Sequence, residues 1–444
     1  MKVYTTRKTS TWTPAKTVLV VIACFAAIIA LVVYSRWQAA NEMPKIVVPM
    51  PKMPAYNAFD YFQQAGYSVV DDQKIGDAIS RQPRLAPSYT LADKEALVQE
   101  NVDALKTLRE GFAHPYVNPP LRSFKTLLPY YAKFRGLVRL LALEGQTKAD
   151  RGDWSGAVNS WLDAVQMGEM IPHGSSLIGD LVGIACQAIG RARIWKAIDH
   201  LDAAQARQAA RRLQAVMTHH LPFADVLQEE KWAGQAGLME IFRQPNWPQE
   251  LQHEMGMDNN AQNGNVSSAL RLYLLFHGKG TILNNYTHYM DQGIANARQP
   301  YAAKSPPSPV PNDPIDQLLI LDMDFSQARF KDAITETQNA LLLVALALRA
   351  YYVEHGAYPQ NLNQLVPAYL SRVSDDPFAL NSPLSYRRTK TKYVLYSVGP
   401  DGKDDGGKPI DDPKRAREYS NNPNARYQVQ KESLGDIVAG INTQ

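Results

Sequence analysis

An uncharged apolar run near the N-terminus limits what this chain can be. Residues 17–34 read TVLVVIACFAAIIALVVY and contain no charged side chain. As an α-helix the run would span about 27 Å at about 1.5 Å per residue, which matches the hydrocarbon core of a bilayer. We therefore predict a transmembrane anchor over 17–34 and a short basic tail over 1–16.

The charges on either side of this run predict its orientation. No acidic residue occurs before Glu42, whereas four basic residues precede the run: Lys2, Arg7, Lys8 and Lys16. Positively charged flanks stay in the cytoplasm when a single span inserts. The sequence therefore predicts a protein of the bacterial inner membrane with a cytoplasmic N-terminus and the bulk of the chain outside the cytoplasm.

Two other kinds of N-terminal signal contain an apolar run. A cleaved signal peptide has a shorter apolar core and a small-x-small site, which Gln38-Ala39-Ala40 does not provide. A lipoprotein signal would end near Cys24, yet the apolar run continues for about ten residues beyond it. Both comparisons favour an uncleaved anchor.

Composition argues against two further classes of protein. The chain has 47 basic and 43 acidic residues, a net charge of +4 that is too small and too evenly mixed to indicate nucleic-acid binding. The two cysteines, Cys24 and Cys186, lie far apart in apolar segments, so they predict neither a disulfide framework nor a thiolate zinc site.

Two proline-rich stretches predict the domain boundaries. Residues 43–54 contain four prolines and residues 298–314 contain six. Such segments favour extended spacers with few contacts. The predicted organisation is a linker over 35–54, an α-helical extracytoplasmic domain over 55–297, a second linker over 298–314, a small α+β domain over 315–413 and a polar tail over 414–444.

The helical block contains a recognisable hairpin pattern and a central helix. Residues 134–171 carry apolar side chains at helical spacing on both sides of a Gly152-Asp153 turn. The hairpin resembles one tetratricopeptide-type unit, but no repeat at about 34 residues follows, so no solenoid is predicted. Residues 175–201 are apolar around most of the helix, and Asp180 within them favours buried packing over a membrane span.

No complete catalytic motif occurs in the helical block. The pair His219-His220 and the run Glu229-Glu230-Lys231 supply acid–base side chains. Charged residues on a helix usually form a solvated face, and adjacent residues point in different directions. These residues alone therefore do not predict an active site.

The C-terminal block has the order helix, loop, hairpin and acidic loop. A helical pattern from 334 ends at Gly356, and two strand-like runs follow at 384–388 and 392–398. The acidic loop is 396–412, YSVGPDGKDDGGKPIDD. The apolar part of the helix, 340–348, is too short to cross a membrane and predicts burial under a sheet or another helix.

The elements of this region include Ala350-Tyr351, Gly356-Ala357-Tyr358-Pro359, Leu362 and Leu365, Asp376-Pro377-Phe378, Leu384-x-Tyr386, and Tyr396-Ser397-Val398-Gly399-Pro400-Asp401-Gly402. As a set they resemble the C-terminal part of the major pseudopilin of type II secretion systems over roughly 80 residues, although the apolar run over 17–34 lacks the early glutamate of that family's N-terminal helix. The resemblance implies a small α+β pseudopilin-like domain and partners in secretion or pilus-like machinery.

The resemblance also implies a calcium site in the acidic loop. Calcium takes oxygen ligands, and clustered carboxylates repel one another unless a cation neutralises them. The implied ligands are the Val398 carbonyl and the carboxylates of Asp401, Asp404, Asp405, Asp411 and Asp412. A flexible, solvated turn rich in Gly and Asp remains the alternative.

Two functions follow from these features. The first is a noncatalytic, single-pass, membrane-anchored envelope protein that acts as an interaction or structural component. The second is an exported, membrane-anchored enzyme whose site lies in the helical domain. The lack of a complete motif favours the first, and a deep pocket with converging carboxylates and histidines would favour the second.

Overall fold

The computed structural model of the chain is mostly helical, as the sequence predicts. It describes residues 14–80, 88–254, 266–274, 277–302, 325–389, 391–418 and 423–443. The helices are α1 (Pro14–Asn41), α2 (Ala58–Ser68), α3 (Asp72–Ala78), α4 (Leu91–Glu100), α5 (Val102–Gly111), α6 (Tyr130–Asp150), α7 (Trp154–Met170), α8 (Leu177–Ala197), α9 (Ala203–Met217), α10 (Phe223–Phe242), α11 (Trp247–Glu254), α12 (Ser268–Leu274), α13 (Lys279–Ala297), α14 (Phe325–His355) and α15 (Pro413–Glu418). The strands are β1 (Ser385–Arg388), β2 (Tyr393–Ser397) and β3 (Ile437–Val438).

Helix α1 contains the predicted apolar segment. Among the described residues, Ala15–Arg36 is the one stretch of helix long and apolar enough to cross a membrane. Its side chains are exposed rather than packed against the rest of the protein. Its length and composition fit a membrane span and equally a signal sequence. Three of the four basic residues that precede it lie in 1–13, outside the described residues.

The chain divides into two compact units. The smaller comprises 1–47, 238–288 and 310–321, and the larger comprises 48–237, 289–309 and 322–444. In the smaller unit, Lys279 donates a hydrogen bond to the Phe242 carbonyl (2.7 Å), and Trp247 packs edge-on against the Phe242 ring. The larger unit contains the acidic loop, the sheet and helices α2 to α9, α14 and α15.

The predicted hairpin over 134–171 is confirmed as α6 and α7. Gly152 adopts a left-handed conformation (φ 83°), and the Asp153 carboxylate accepts the Gly156 N–H (2.8 Å) to cap α7. The two helices come close because Gly145 leaves room for the indole of Trp161. A Cβ on Gly145 would lie 2.2 Å from Trp161 Nε1.

The predicted core helix over 175–201 is confirmed as α8, and glycines set its distance from α7. A Cβ on Gly190 would lie 2.4 Å from the Trp161 carbonyl oxygen, and one on Gly183 would lie 2.5 Å from that of Gly168. The backbones of α7 and α8 therefore meet directly, in agreement with the buried packing predicted for 175–201.

Helix α14 lies in a hydrophobic core that crosses the predicted domain boundary. Its residues 340–348 are all buried, and α14 packs on α8, α9 and β2. The same core takes in residues from 149–216 and from 330–437. The predicted helical domain (55–297) and α+β domain (315–413) thus share one core, although most of the predicted linker between them, residues 303–314, lies outside the described residues.

The hairpin β1–β2 matches the sequence prediction, whereas β3 corrects the prediction of a polar tail over 414–444. Strand β3 pairs antiparallel with β2 and gives the order β1-β2-β3, with Val438 opposite Tyr396. Ile437 and Val438 are buried and cover the second edge of β2. The mixed polar composition of 414–444 conceals this short apolar strand.

Candidate functional site

The acidic loop does not bring the six predicted calcium ligands together. Asp411 forms an ion pair with Arg426, and the Asp412 carboxylate accepts the Lys414 N–H (3.0 Å). Two of the five predicted carboxylate ligands are therefore engaged, one by a basic side chain and one by a local turn.

Three other predicted ligands make contacts that fold the loop. Asp401 accepts the N–H of Lys403 (3.1 Å), and Asp404 accepts the hydroxyl of Tyr396 (2.9 Å). The N–H of Val398 donates to the Asp376 carboxylate (2.9 Å), which also accepts the Ser397 hydroxyl (2.6 Å). Asp376 is buried, and this burial raises the pKa of its carboxyl group.

The centre of the loop is Asp436, a residue that the sequence analysis missed. Its carboxylate accepts the backbone N–H groups of Asp405 (3.3 Å), Gly407 (2.7 Å) and Lys408 (3.1 Å). The side chain is fully buried, and burial raises the pKa of its carboxyl group. The backbone of the loop therefore folds around the Asp436 carboxylate.

This arrangement does not fit a calcium ion at the loop as the resemblance implies. Backbone N–H groups face a carboxylate at the loop centre, whereas calcium requires several converging oxygens. Across the part of the chain that the structure describes, no three His, Cys, Asp or Glu side chains are placed to hold a metal ion. Calcium binding by 396–412 stays a prediction from the resemblance.

Replacing Asp436 by Asn should separate the two explanations of the loop. We expect Asp436→Asn to lower the free energy of unfolding by about 1–3 kcal/mol, because an amide cannot accept from all three N–H groups. Calcium should not restore the loss, and Asp405→Asn, whose backbone N–H is kept, serves as the control. A rise in the wild-type melting temperature with calcium that Asp401→Ala removes would instead support the metal site.

A second polar cluster, partly buried between helices, has the geometry of a functional site. We call it the His220 cluster, and it consists of Glu169, Asp180, His220, Asp332 and Glu336. Glu169 lies in the last turn of α7, Asp180 in the first turn of α8, and His220 just after α9. Asp332 and Glu336 lie one turn apart on α14. Four separate elements therefore supply its side chains.

His220 is held between two carboxylates. Its Nδ1 lies 3.0 Å from Glu169 Oε1, and its Nε2 lies 3.6 Å from Asp332 Oδ1. Burial lowers the pKa of His220, but the hydrogen bond to Glu169 and the charges of Asp332 and Glu169 outweigh it and raise the pKa to about 10. At neutral pH the ring is therefore an imidazolium that neutralises buried carboxylates.

The pKa values of the other carboxyl groups of the cluster are raised. Burial, followed by the charge of Asp332, raises the pKa of Asp180, and burial also raises the pKa of Asp332 and of Glu336. Asp180 Oδ2 is buried and makes no hydrogen bond. Protonation of Asp180 removes the free-energy cost of burying a charged carboxylate. The cluster therefore carries fewer negative charges than its four carboxyl groups would if all were ionised.

The cluster continues as a polar layer between α8 and α14. Arg191 donates to the side chains of Asn339 (3.0 Å) and Gln338, and Asn339 donates to Gln187 (2.8 Å). Arg191, Asn339 and Gln187 are buried. Burial lowers the pKa of Arg191 to about 10, which leaves it charged at neutral pH. The layer therefore adds a second cation on the α8 side of the cluster.

Two cavities meet the His220 cluster at Glu169. A cavity of about 490 Å³, which we call the Glu169 cavity, lies between the loop after α5, α7 and α9. A smaller one of about 200 Å³ is lined by Glu169, His220, Glu336 and residues 371–374. Another cavity, of about 540 Å³, reaches Ser80 beside residues outside the described part and contains none of the cluster. The Glu169 cavity is the larger of the two that meet the cluster.

The His220 cluster can hold charge, but it is not arranged as a catalytic triad. In a triad, one imidazole nitrogen faces a carboxylate and the other faces the nucleophile. Both nitrogens of His220 face carboxylates, and its raised pKa keeps the ring protonated. The cluster therefore suits electrostatic binding and helix assembly better than general-base catalysis.

Sequence reasoning found one member of the cluster and missed its partners. His220 was noted as an acid–base side chain, and Asp180 only as an interruption of an apolar run. Glu169 and Asp332 lie 51 and 112 residues from His220 in the sequence. The signal available was the spacing of polar residues along one face of α8, at Asp180, Gln187 and Arg191.

Comparison with known proteins adds no further information on this site. No protein family, no curated protein and no solved structure matches the chain. The function must therefore be inferred from the residues and contacts described above.

Proposed function

We propose that this chain is a noncatalytic, single-pass protein of the bacterial inner membrane that acts as an interaction component of the envelope. The observation that carries the proposal is the uncovered apolar surface of α1. Residues 18–34 are exposed on every side of the helix, which in water would be highly unfavourable. A lipid bilayer is the environment that this surface fits.

The segment after α1 supports a role as a tether. Residues 43–54 form neither helix nor strand, in keeping with their four prolines. In this proposal the segment joins the anchor to the folded body. The N-terminus is proposed to be cytoplasmic and the larger unit to lie outside the cytoplasm, because the basic residues precede the anchor.

The proposed partners are proteins of type II secretion or pilus-like machinery. Support comes from the pseudopilin-like sequence elements and from the order α14, β1 and β2 in which they occur. Leu380 and Leu434 are exposed apolar residues on this part of the chain, with 53% and 75% of their surface accessible. They are suitable positions for detecting contact with a partner.

Photocrosslinking tests the proposed partners in cells. A photoreactive residue at Leu380 or Leu434 should yield crosslinks to pseudopilin or other secretion proteins, identified by mass spectrometry. The same residue at Tyr67, which is 53% exposed on α2, is the control position. Equal products from all three positions, or none with secretion proteins, would contradict this part of the proposal.

The alternative function, an exported enzyme, rests on the position of Glu169 between two cavities. The arrangement of His220 argues against a histidine general base at that position, because both ring nitrogens face carboxylates. For this reason we propose the noncatalytic function.

A further inference from the structure

The Glu169 cavity is enclosed by the C-terminal ends of three helices. Its lining includes Phe112, which follows α5, Met170 at the end of α7, and Val216 at the end of α9. The last turn of a helix carries a partial negative charge from the aligned peptide dipoles. Three such ends around one cavity favour a positively charged guest.

One wall of the cavity is apolar and aromatic. Phe112, Tyr116, Met170 and Val216 supply this wall, and Tyr116 is buried. The ring of His114 is stacked between Tyr61 (centroids 4.9 Å apart) and Tyr56 (5.6 Å), which fixes its orientation. The volume, about 490 Å³, is in the range of small-molecule sites. The wall is therefore suited to a flat apolar group.

Glu169 is the acidic residue in the cavity lining, and its carboxylate pairs with the His220 ring (3.0 Å). Glu169 is 3% exposed and belongs to a cluster in which four carboxyl groups surround the imidazolium of His220. Arg212, the cation in the lining, already pairs with Asp163 and donates to the Gln166 side chain (3.2 Å). The positive charge of the Arg212 guanidinium is thus neutralised by Asp163.

We propose that the Glu169 cavity binds a small molecule in which a protonated amine is joined to an aromatic or similarly flat apolar body. The amine would lie toward Glu169 and the helix ends, and the apolar body would lie against Phe112, Tyr116 and Met170. Aromatic faces also attract ammonium groups. This inference does not depend on the membrane anchor or on the secretion partners.

The test compares two probes of matched shape and opposite charge. The full-length chain is placed in lipid nanodiscs at pH 8, and binding of 2-phenylethylammonium and of 3-phenylpropionate is measured by saturation-transfer NMR. We expect transfer to the ammonium at millimolar concentration and none to the carboxylate. Empty nanodiscs give the background from partition into lipid.

Two variants assign the binding to this cavity. Glu169→Gln should weaken binding of 2-phenylethylammonium by about tenfold or more, because the charged hydrogen-bond acceptor is lost. Glu100→Gln, on the exposed end of α4, is the matched control and should bind as the wild type does. Ala215→Trp fills the cavity from an exposed position on α9 without removing a charged group, and it should abolish binding while the protein stays folded.

Three results would overturn the proposal. They are no transfer to 2-phenylethylammonium in the wild type, equal transfer to 3-phenylpropionate, and unchanged binding in a folded Ala215→Trp variant. Glu169→Gln also removes a partner of His220, so the Ala215→Trp variant decides the matter if Glu169→Gln does not fold.

Discussion

Replacing His220 by Ala should lower the free energy of unfolding by about 2–4 kcal/mol at pH 6. Removing one partner of a buried ion pair leaves uncompensated charge, here on Glu169. We do not expect the largest loss of stability that breaking a buried ion pair can cause, because 32% of the His220 side chain is exposed to solvent. Urea unfolding of the full-length chain in detergent measures the difference.

The loss caused by His220→Ala should depend on pH in a defined direction. The folded-state pKa of His220 is raised to about 10, above the ordinary value of about 6.5. The contribution of His220 to the free energy of unfolding is therefore fully present below about pH 6.5, and it is lost as the pH rises through about 10. The difference between wild type and variant should shrink between pH 6 and pH 10.

The carboxyl groups of the cluster add a trend of the same sign. The pKa values of Asp180, Asp332 and Glu336 are raised, so the folded state binds more protons than the unfolded state above about pH 4. Stability should fall as these groups ionise with rising pH, opposed by the cations Arg191, Arg329 and Arg372 nearby. His219→Ala, at the exposed neighbour, is the control and should change stability by less than about 0.5 kcal/mol. A difference for His220→Ala that grows with pH would contradict the geometry described for the cluster.

Replacing Leu346 by Ala should destabilise both sides of the predicted domain boundary. Leu346 is fully buried on α14, in the core shared with α8, α9 and the sheet. Loss of a buried leucine side chain costs about 2–5 kcal/mol. Because the core is shared, we expect one unfolding transition and faster hydrogen exchange in α9 as well as in β2.

The same helix provides a control for this experiment. Val353 is 41% exposed near the end of α14, and Val353→Ala should change the free energy of unfolding by less than about 0.5 kcal/mol. If Leu346→Ala speeds exchange only within 325–443 and leaves α9 unchanged, the two parts have separate cores as the proline-rich linker predicts.

Local signals predicted the individual elements of the fold well. The Gly152-Asp153 turn and the stop at Gly356 each depend on neighbouring residues, and each occurs where the sequence predicts it. The hairpin β1–β2 is equally local. Patterns of this kind are visible in sequence because one short segment determines them.

Long-range contacts explain what sequence reasoning missed. Strand β3 is two residues long and is stabilised by pairing with β2, about 40 residues earlier in the chain. Asp436 owes its role to backbone groups of 405–408 that reach it through the fold. The His220 cluster likewise forms only when α7, α8 and α14 pack together, so periodicity along any one helix does not reveal it.

The location of the larger unit is the central claim and can be measured directly. Alkaline phosphatase fused after Gln444 becomes active only outside the cytoplasm, where its disulfides form. We expect high phosphatase activity in cells that express the fusion, recovered with the membrane fraction as a full-length product. A fusion that is inactive while a fluorescent reporter at the same position is bright in the cytoplasm would contradict the account, as would release of a shortened soluble product.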